Sequence, residues 1–214
     1  MNDYEQILAL ITSRRSIRKF SQQPVSRENI LRVLEAARWA PSNHNRQPWR
    51  FIVFEDRTQI GKLAEAVGAE LSGKLETLPA VARGYAIEFA AYATFFAKAP
   101  ILAVVLHKRP VNFSSALLKD VSQPELVSGE PLSSAMAVQN LLLAAHALGL
   151  GACVLTAPLV VRETVVRELN LPGEYEVTCL VALGYPDETA SPPRRKSVEQ
   201  ITEFRNDGNG LDRK

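Results

Sequence analysis

The chain has 214 residues, 46% of them hydrophobic and 22% charged, and its 25 basic and 23 acidic side chains leave a formal charge of +2. That length and composition suit one substantial globular core rather than two domains. A charge this close to balance supplies no global field for nucleic acid or a membrane surface. The two cysteines, Cys153 and Cys179, lie in apolar runs and read as buried thiols in a reducing cytosol, so a cytoplasmic protein is expected. No CxxC, Cys/His zinc spacing or HExxH stretch occurs, and no built-in metal site is expected.

At the N-terminus the acidic residues come first and the arginines last, the wrong order for a signal peptide. Residues 3–13 carry Tyr4, Ile7, Leu8 and Ile11 at helical spacing. Ser26 is a good N-cap for a second helix that Pro41 ends. Trp49–Phe54 alternates and is rich in aromatic and β-branched residues, which predicts a strand. Residues 57–72 predict an amphipathic helix, about Pro79 to Lys98 a longer one, and Ile101–Leu106 a buried strand. Residues 107–130 are polar and punctuated by Pro110, Pro124 and Gly129, as in a functional or disordered loop.

Pro131–Leu150 is uncharged and about as long as a membrane span. It contains Ser133, Ser134, Gln139, Asn140 and His146 and has no aromatic belt, so a helix over 131–148 buried on every side, either in a core or at a subunit interface, is expected in a soluble protein with no membrane partner. Gly151–Leu155 and Glu176–Leu183 are the remaining strands, with a helix over about Val160 to Leu169 between them. The tail from Glu203 is polar, either disordered or an arm on a partner, which leaves a single domain over residues 1–202. The element order argues mixed α/β or α+β.

Three stretches could carry chemistry. Residues 13–19, Ser-Arg-Arg-Ser-Ile-Arg-Lys, pack four cations and two hydroxyls where side chains can converge, and guanidinium forks with a hydroxyl suit phosphate. A solvated basic turn is the plainer reading. A second cluster, Arg194-Arg195-Lys196, could share that phosphate if the fold closes on itself. No aromatic-interleaved basic surface accompanies either, so no nucleic-acid partner is expected. Residues 41–49, Pro-Ser-Asn-His-Asn-Arg-Gln-Pro-Trp, offer amides and hydroxyls that suit a heteroaromatic ring edge or a polyol. Asx-turns would explain Ser42 and Asn43 but not the rest. Gly149-Leu150-Gly151 follows a helix and is continued by Val154, so it reads as a helix stop rather than a dinucleotide loop. His146 reads as a satisfied core residue, and His44 is the one histidine inside a candidate site.

These motifs in this order resemble the flavin-dependent nitroreductase family. The similarity runs through Arg14–Phe20, Pro24-Val25, Ala40–Trp49, Lys98-Ala99-Pro100, Ala137–Gly151 and Leu183–Pro186 to the late basic cluster. It implies an α+β, nitroreductase-like fold with a central, mainly antiparallel sheet flanked by helices, in an intertwined homodimer with FMN at the interface. Carried over residue by residue, it places Arg14 and Ser16, with Arg15 beside them and Arg194 and Lys196 from the late loop, at the FMN phosphate; Arg195 is an alternative to either late residue. Arg18 matches the cation at the flavin pyrimidine edge. Pro41, Ser42, Asn43 and Asn45, with Gln47, contact the flavin of the other subunit. Thr156-Ala157 falls where members bring backbone N–H groups near the reactive flavin nitrogen, although many carry paired glycines or Glu-Gly there.

The implied activity is hydride transfer from NAD(P)H through FMN to a small-molecule acceptor, a nitroaromatic or quinone, in a ping-pong scheme. The flavin carries the bond chemistry, so no protein catalytic residue is required. Same-fold alternatives are flavin fragmentation, reductive dehalogenation, deazaflavin-type reduction, or flavin binding without catalysis. About residues 65–130, which would cap the substrate face, match least.

Overall fold

The computed structural model of the chain describes residues 2–77, 79, 83–109 and 129–205. In chain order the elements are α1 (Asp3–Ser13), α2 (Arg27–Arg38), β1 (Trp49–Phe54), α3 (Arg57–Glu76), α4 (Arg83–Thr94), β2 (Ile101–Lys108), α5 (Gly129–Ala147), β3 (Gly151–Leu155), α6 (Arg162–Glu168), β4 (Tyr175–Gly184) and α7 (Val198–Ile201). Short 3₁₀ turns occupy Asn43–Asn45, Phe95–Lys98 and Ala157–Val161. The four strands form one sheet in the order β1-β2-β4-β3, every neighbouring pair antiparallel. This is the expected α+β arrangement.

The sheet is covered on both faces. Along β2, Leu102, Val104 and Leu106 pack with Ile60, Leu63 and Val67 of α3, whereas Ile101, Ala103 and Val105 pack with Val33 of α2 and Leu141 of α5. Both faces of β2 are therefore apolar, and the strand reads as an unbroken hydrophobic run rather than an alternation. Between Val105 and Leu106 the register with β4 slips by one residue, leaving Thr178 as the extra one. Its hydroxyl lies 2.8 Å from His107 Nδ1.

Several boundaries move, each for a tertiary reason. His107 and Lys108, expected in the loop, extend β2 because β4 starts at Tyr175 and offers them partners. Gly129 and Glu130, also expected in that loop, form the first turn of α5. Residues 110–128 of the expected loop, and 206–214 of the tail, lie outside the described residues. The helix expected over 79–98 runs from Arg83 and tightens to 3₁₀ after Thr94. In α5, Ser133, Ala137, Leu141 and Ala145 are buried, but Leu132 is 64% and Met136 39% exposed. The expected burial on every side therefore does not hold within one chain. Leu150 donates to Ala145 O at 2.8 Å and Gly149 to His146 O at 3.0 Å, with Gly149 at φ 73°. That is a left-handed C-terminal stop, and it explains Gly149. Among the described residues no helix is long and apolar enough to cross a membrane.

Candidate functional site

The arginine-serine segment is threaded along the edge strand β3. Arg15 turns back on the end of α1, its Nη1 donating to Thr12 O at 2.6 Å and Arg14 O at 2.7 Å, which satisfies carbonyls the helix leaves open. Ser16 pairs in parallel with Ala152, and Ile17 donates its N–H to Ala152 O at 3.1 Å. Gly151 makes this approach possible, since a Cβ there would lie 2.7 Å from Ile17 Cβ. The segment then zips to the exit of β4. Phe20 bridges Pro186, Ser21 donates to Tyr185 O at 2.9 Å, and Asp187 donates to Lys19 O at 2.9 Å. Glu188 closes the seam: its Oε1 accepts the N–H of Arg18 at 2.5 Å and of Lys19 at 3.0 Å. The Arg18 bond chiefly holds the Glu188 carboxyl below the ordinary carboxylate range.

This zipper brings the proline-rich loop after β4 over the arginines. The result is a cavity of about 220 Å³, with Arg14, Arg15, Ser16 and Arg18 on one side and Ala190, Ser191, Pro193 and Arg195 on the other. Among the described residues no carboxylate lines it, and its guanidinium and hydroxyl donors are the set a phosphate monoester requires. Of the late run, Arg195 lines the cavity, while Arg194 and Lys196 are exposed beside it. The Arg18 guanidinium lies 5.4 Å from the Tyr92 ring centroid, and hydrogen bonding to Tyr92 raises its pKa further. Cys153, next to Ala152 on β3, is buried. Burial pushes its thiol up, against the opposing pull of Arg18, Ser16 and Arg14. The Cys179 thiol is pushed up to about 12 by burial. Beyond Cys153 the same strand leads to Thr156, exposed, and Ala157, half-buried, which open a turn closed by Leu159 N to Thr156 O at 2.9 Å.

Pro41, Ser42, Asn43, Asn45 and Gln47 lie elsewhere, between α2 and β1, and only Ser42 is half-buried. His44, Asn45 and Gln47 have φ of 49°, 52° and 46°. Three non-glycine residues in the left-handed region within four positions is a strained backbone. Four internal bonds hold it: Gln47 N to Ser42 Oγ at 3.0 Å, Gln47 Nε2 to Asn45 Oδ1 at 3.2 Å, and the backbone bonds Asn45 N to Ser42 O and Arg46 N to Asn43 O, both at 3.0 Å. Two contacts tie it to α5, Asn43 N to Ser133 Oγ at 3.1 Å and Arg46 Nη1 to the buried Glu130 at 3.2 Å. Gly129 sits under it, where a Cβ would lie 2.6 Å from Asn43 Nδ2.

Topology keeps these two groups apart within a chain. β1 and β3 are opposite edges of the sheet, about 14 Å apart at ~4.8 Å per strand. The strained loop enters at Trp49, whose row runs through His107 to Glu176, whereas Ser16 stands beside Ala152, whose partner is Leu183. Along β4 that adds about 24 Å at ~3.4 Å per residue. One chain thus carries the two groups at diagonal corners. His146 is half-buried and satisfied, its Nε2 2.8 Å from Ser13 Oγ. Sequence reasoning missed Glu188 and Tyr92. Glu188 lies 170 residues from Arg18 with no local signal, and Tyr92 falls in the stretch that matched the family least.

The sheet, the basic cavity and the loop together define an α+β protein with a cavity lined by guanidinium and hydroxyl donors. Residues 11–185 match the nitroreductase family, and the chain belongs to that family. It is 32% identical over 186 residues to an Archaeoglobus fulgidus protein named for NADH dehydrogenase and NAD(P)H nitroreductase activity, covering 86% of this chain and 87% of the relative. A BluB-like flavoprotein from Clostridium difficile 630 has a TM-score of 0.81 at 30% identity, over 94% of this chain and 99% of that one. An iodotyrosine deiodinase solved with FMN and 3-iodo-L-tyrosine has a TM-score of 0.72 at 25% identity, over 94% and 99%. FMN is thus a cofactor of the family, and its members do not all perform one reaction.

Proposed function

We propose that the chain acts as a homodimer that binds FMN and passes reducing equivalents from NAD(P)H to a nitroaromatic, quinone or similar small molecule. FMN, when bound, would supply the redox chemistry, two-electron transfer between NAD(P)H and an acceptor that use the same pocket in turn. The observation that carries this reading is the 220 Å³ cavity where two basic clusters from opposite ends of the chain meet, with no carboxylate among the described residues that line it. There Arg14, Ser16 and Arg195 hold the phosphate through charge-assisted hydrogen bonds. Arg15, committed partly to α1, adds charge, and Arg194 and Lys196 raise the local positive potential. Arg18, kept cationic, balances negative charge at the cofactor's edge. Thr156 and Ala157 continue the same edge strand beside it.

The rest of the site comes from the second copy, whose Pro41, Ser42, Asn43, Asn45 and Gln47 complete it. The diagonal placement supports this, because one chain cannot bring its own loop to its own cavity. Exposed apolar surface supports it too. Tyr4, Ile7, Leu8 and Ile11 of α1, Leu132 and Met136 of α5, and Val198, Ile201 and Phe204 near the C-terminus are all exposed in the single chain, as on faces awaiting a partner.

A visible absorption spectrum of the purified protein tests the cofactor: flavin bands are expected, and a colourless protein that takes up no added FMN overturns the reading. Steady-state turnover with NADPH and a nitroaromatic tests the reaction, with parallel double-reciprocal plots expected and converging ones against it. The likeness to the deiodinase favours one second reading, reductive removal of a halogen at the same site. Turnover of 3-iodo-L-tyrosine without turnover of a nitroaromatic would establish it instead.

A further inference from the structure

A larger cavity adjoins the basic one, and Arg18 lines both. It measures about 620 Å³ and lies between α3, α4 and the Phe95–Lys98 turn, within the size range of small-molecule sites. Among the described residues its charge is lopsided, with Arg18, Lys19 and Lys98 set against a single carboxylate, Glu65. Among the described residues neither Lys98 nor Glu65 makes a salt bridge, and the Lys98 ammonium is available to an incoming anion. Phe95 supplies a flat apolar wall. Its ring lies 6.0 Å from that of Tyr92, which in turn sits beneath the Arg18 guanidinium. Gly61 contributes only space: a Cβ there meets nothing within 4 Å, although glycine weakens a helix interior.

A ligand matching both the wall and the charge is a flat ring carrying a negative group at one end. We infer that this cavity binds an aromatic carboxylate and that the acceptor in the proposed reaction belongs to that class. The word acceptor rests on the FMN reading; the binding does not, and it is measured without turnover. Opposite charge at the rim draws the carboxylate in, and the aromatic wall stacks on the ring. A neutral ring of the same shape keeps only the second contribution.

The test is calorimetric titration of 4-nitrobenzoate and its methyl ester into the FMN-loaded protein at low salt, with no reductant. The acid is expected to bind about tenfold tighter than the ester, and the gap to narrow as salt rises. Lys98→Glu should lose about tenfold of the acid's affinity and leave the ester's unchanged. Gly61→Leu, which fills the cavity, should weaken both. Equal affinity for acid and ester, no binding of either, or full binding by both variants overturns the inference. Flavin absorbance of the same preparation reports the cofactor reading separately. If no FMN is taken up, the titration of the chain as purified still decides the cavity.

Discussion

Two corners of the molecule are built in opposite ways. At the β3 edge, residues 16–21 are zipped to β3 and to 185–187 by backbone bonds and to the Glu188 carboxylate, and the basic cavity is lined from one chain. At the β1 edge, residues 43–47 are exposed and left-handed at three positions, held mainly by side chains. The first corner is preorganised by the fold. The second keeps a strained shape whose exposed side, among the described residues, meets nothing in its own chain beyond the ties to α5, which is the pattern expected of a surface shaped for something outside the chain.

The contrast can be broken at either corner. Arg14→Ala should have the largest effect on the cofactor, lowering FMN affinity by about 1.5–3 kcal/mol, since it removes a charge-assisted phosphate contact. Equilibrium titration checks it, and unchanged affinity would remove Arg14 from the site. Gly184→Ala should loosen the same corner through the fold. Its Cβ would lie 2.5 Å from Pro100 Cγ and 3.0 Å from Phe20, so a loss of about 1–3 kcal/mol in urea unfolding is expected.

The legibility of the two corners differs for a physical reason. Residues 14–20 and 41–49 were both readable as dense local runs of unusual side chains, and local runs are what a sequence displays. The strands were readable because β2 and β4 are apolar on both faces. Glu188 was not, because its acceptor role toward Arg18 and Lys19 depends on how β4's exit meets a segment near the other end of the chain. Gly129 was likewise unreadable as the floor under Asn43, since that approach exists only once α5 packs beside the loop. The choice of Arg195 to line the cavity was open in the sequence and is settled in geometry by the turn of the late loop.

Smaller effects sharpen the comparison. The Glu188 carboxyl is depressed in the folded state, so the stability it contributes is complete above its unfolded pKa, about 4.3, and is lost as pH falls through the lower folded value. Glu188→Gln should flatten that part of the acid limb when urea midpoints are compared from pH 6 down to pH 3. An identical limb in both proteins would show that the seam does not depend on the charge. Gly129→Ala should push Asn43 aside and weaken FMN binding by about 0.5–1 kcal/mol with little change in Tm. At the small end, His44→Gly should relieve left-handed strain and raise stability by no more than about 1 kcal/mol, leaving FMN affinity unchanged by titration.

The central claim is that each FMN site takes its phosphate cavity from one chain and its strained loop from the other. Co-expression of two defective chains tests it directly, one carrying Arg14→Ala and the other Asn43→Ala with Asn45→Ala. Each homodimer alone should bind FMN weakly. In the mixed dimer one site receives both defects and the other receives none, so one tight FMN site per mixed dimer should return. If the cavity and loop of a single chain formed the site, no combination would restore tight binding, and a mixed dimer as weak as its parents would contradict the account.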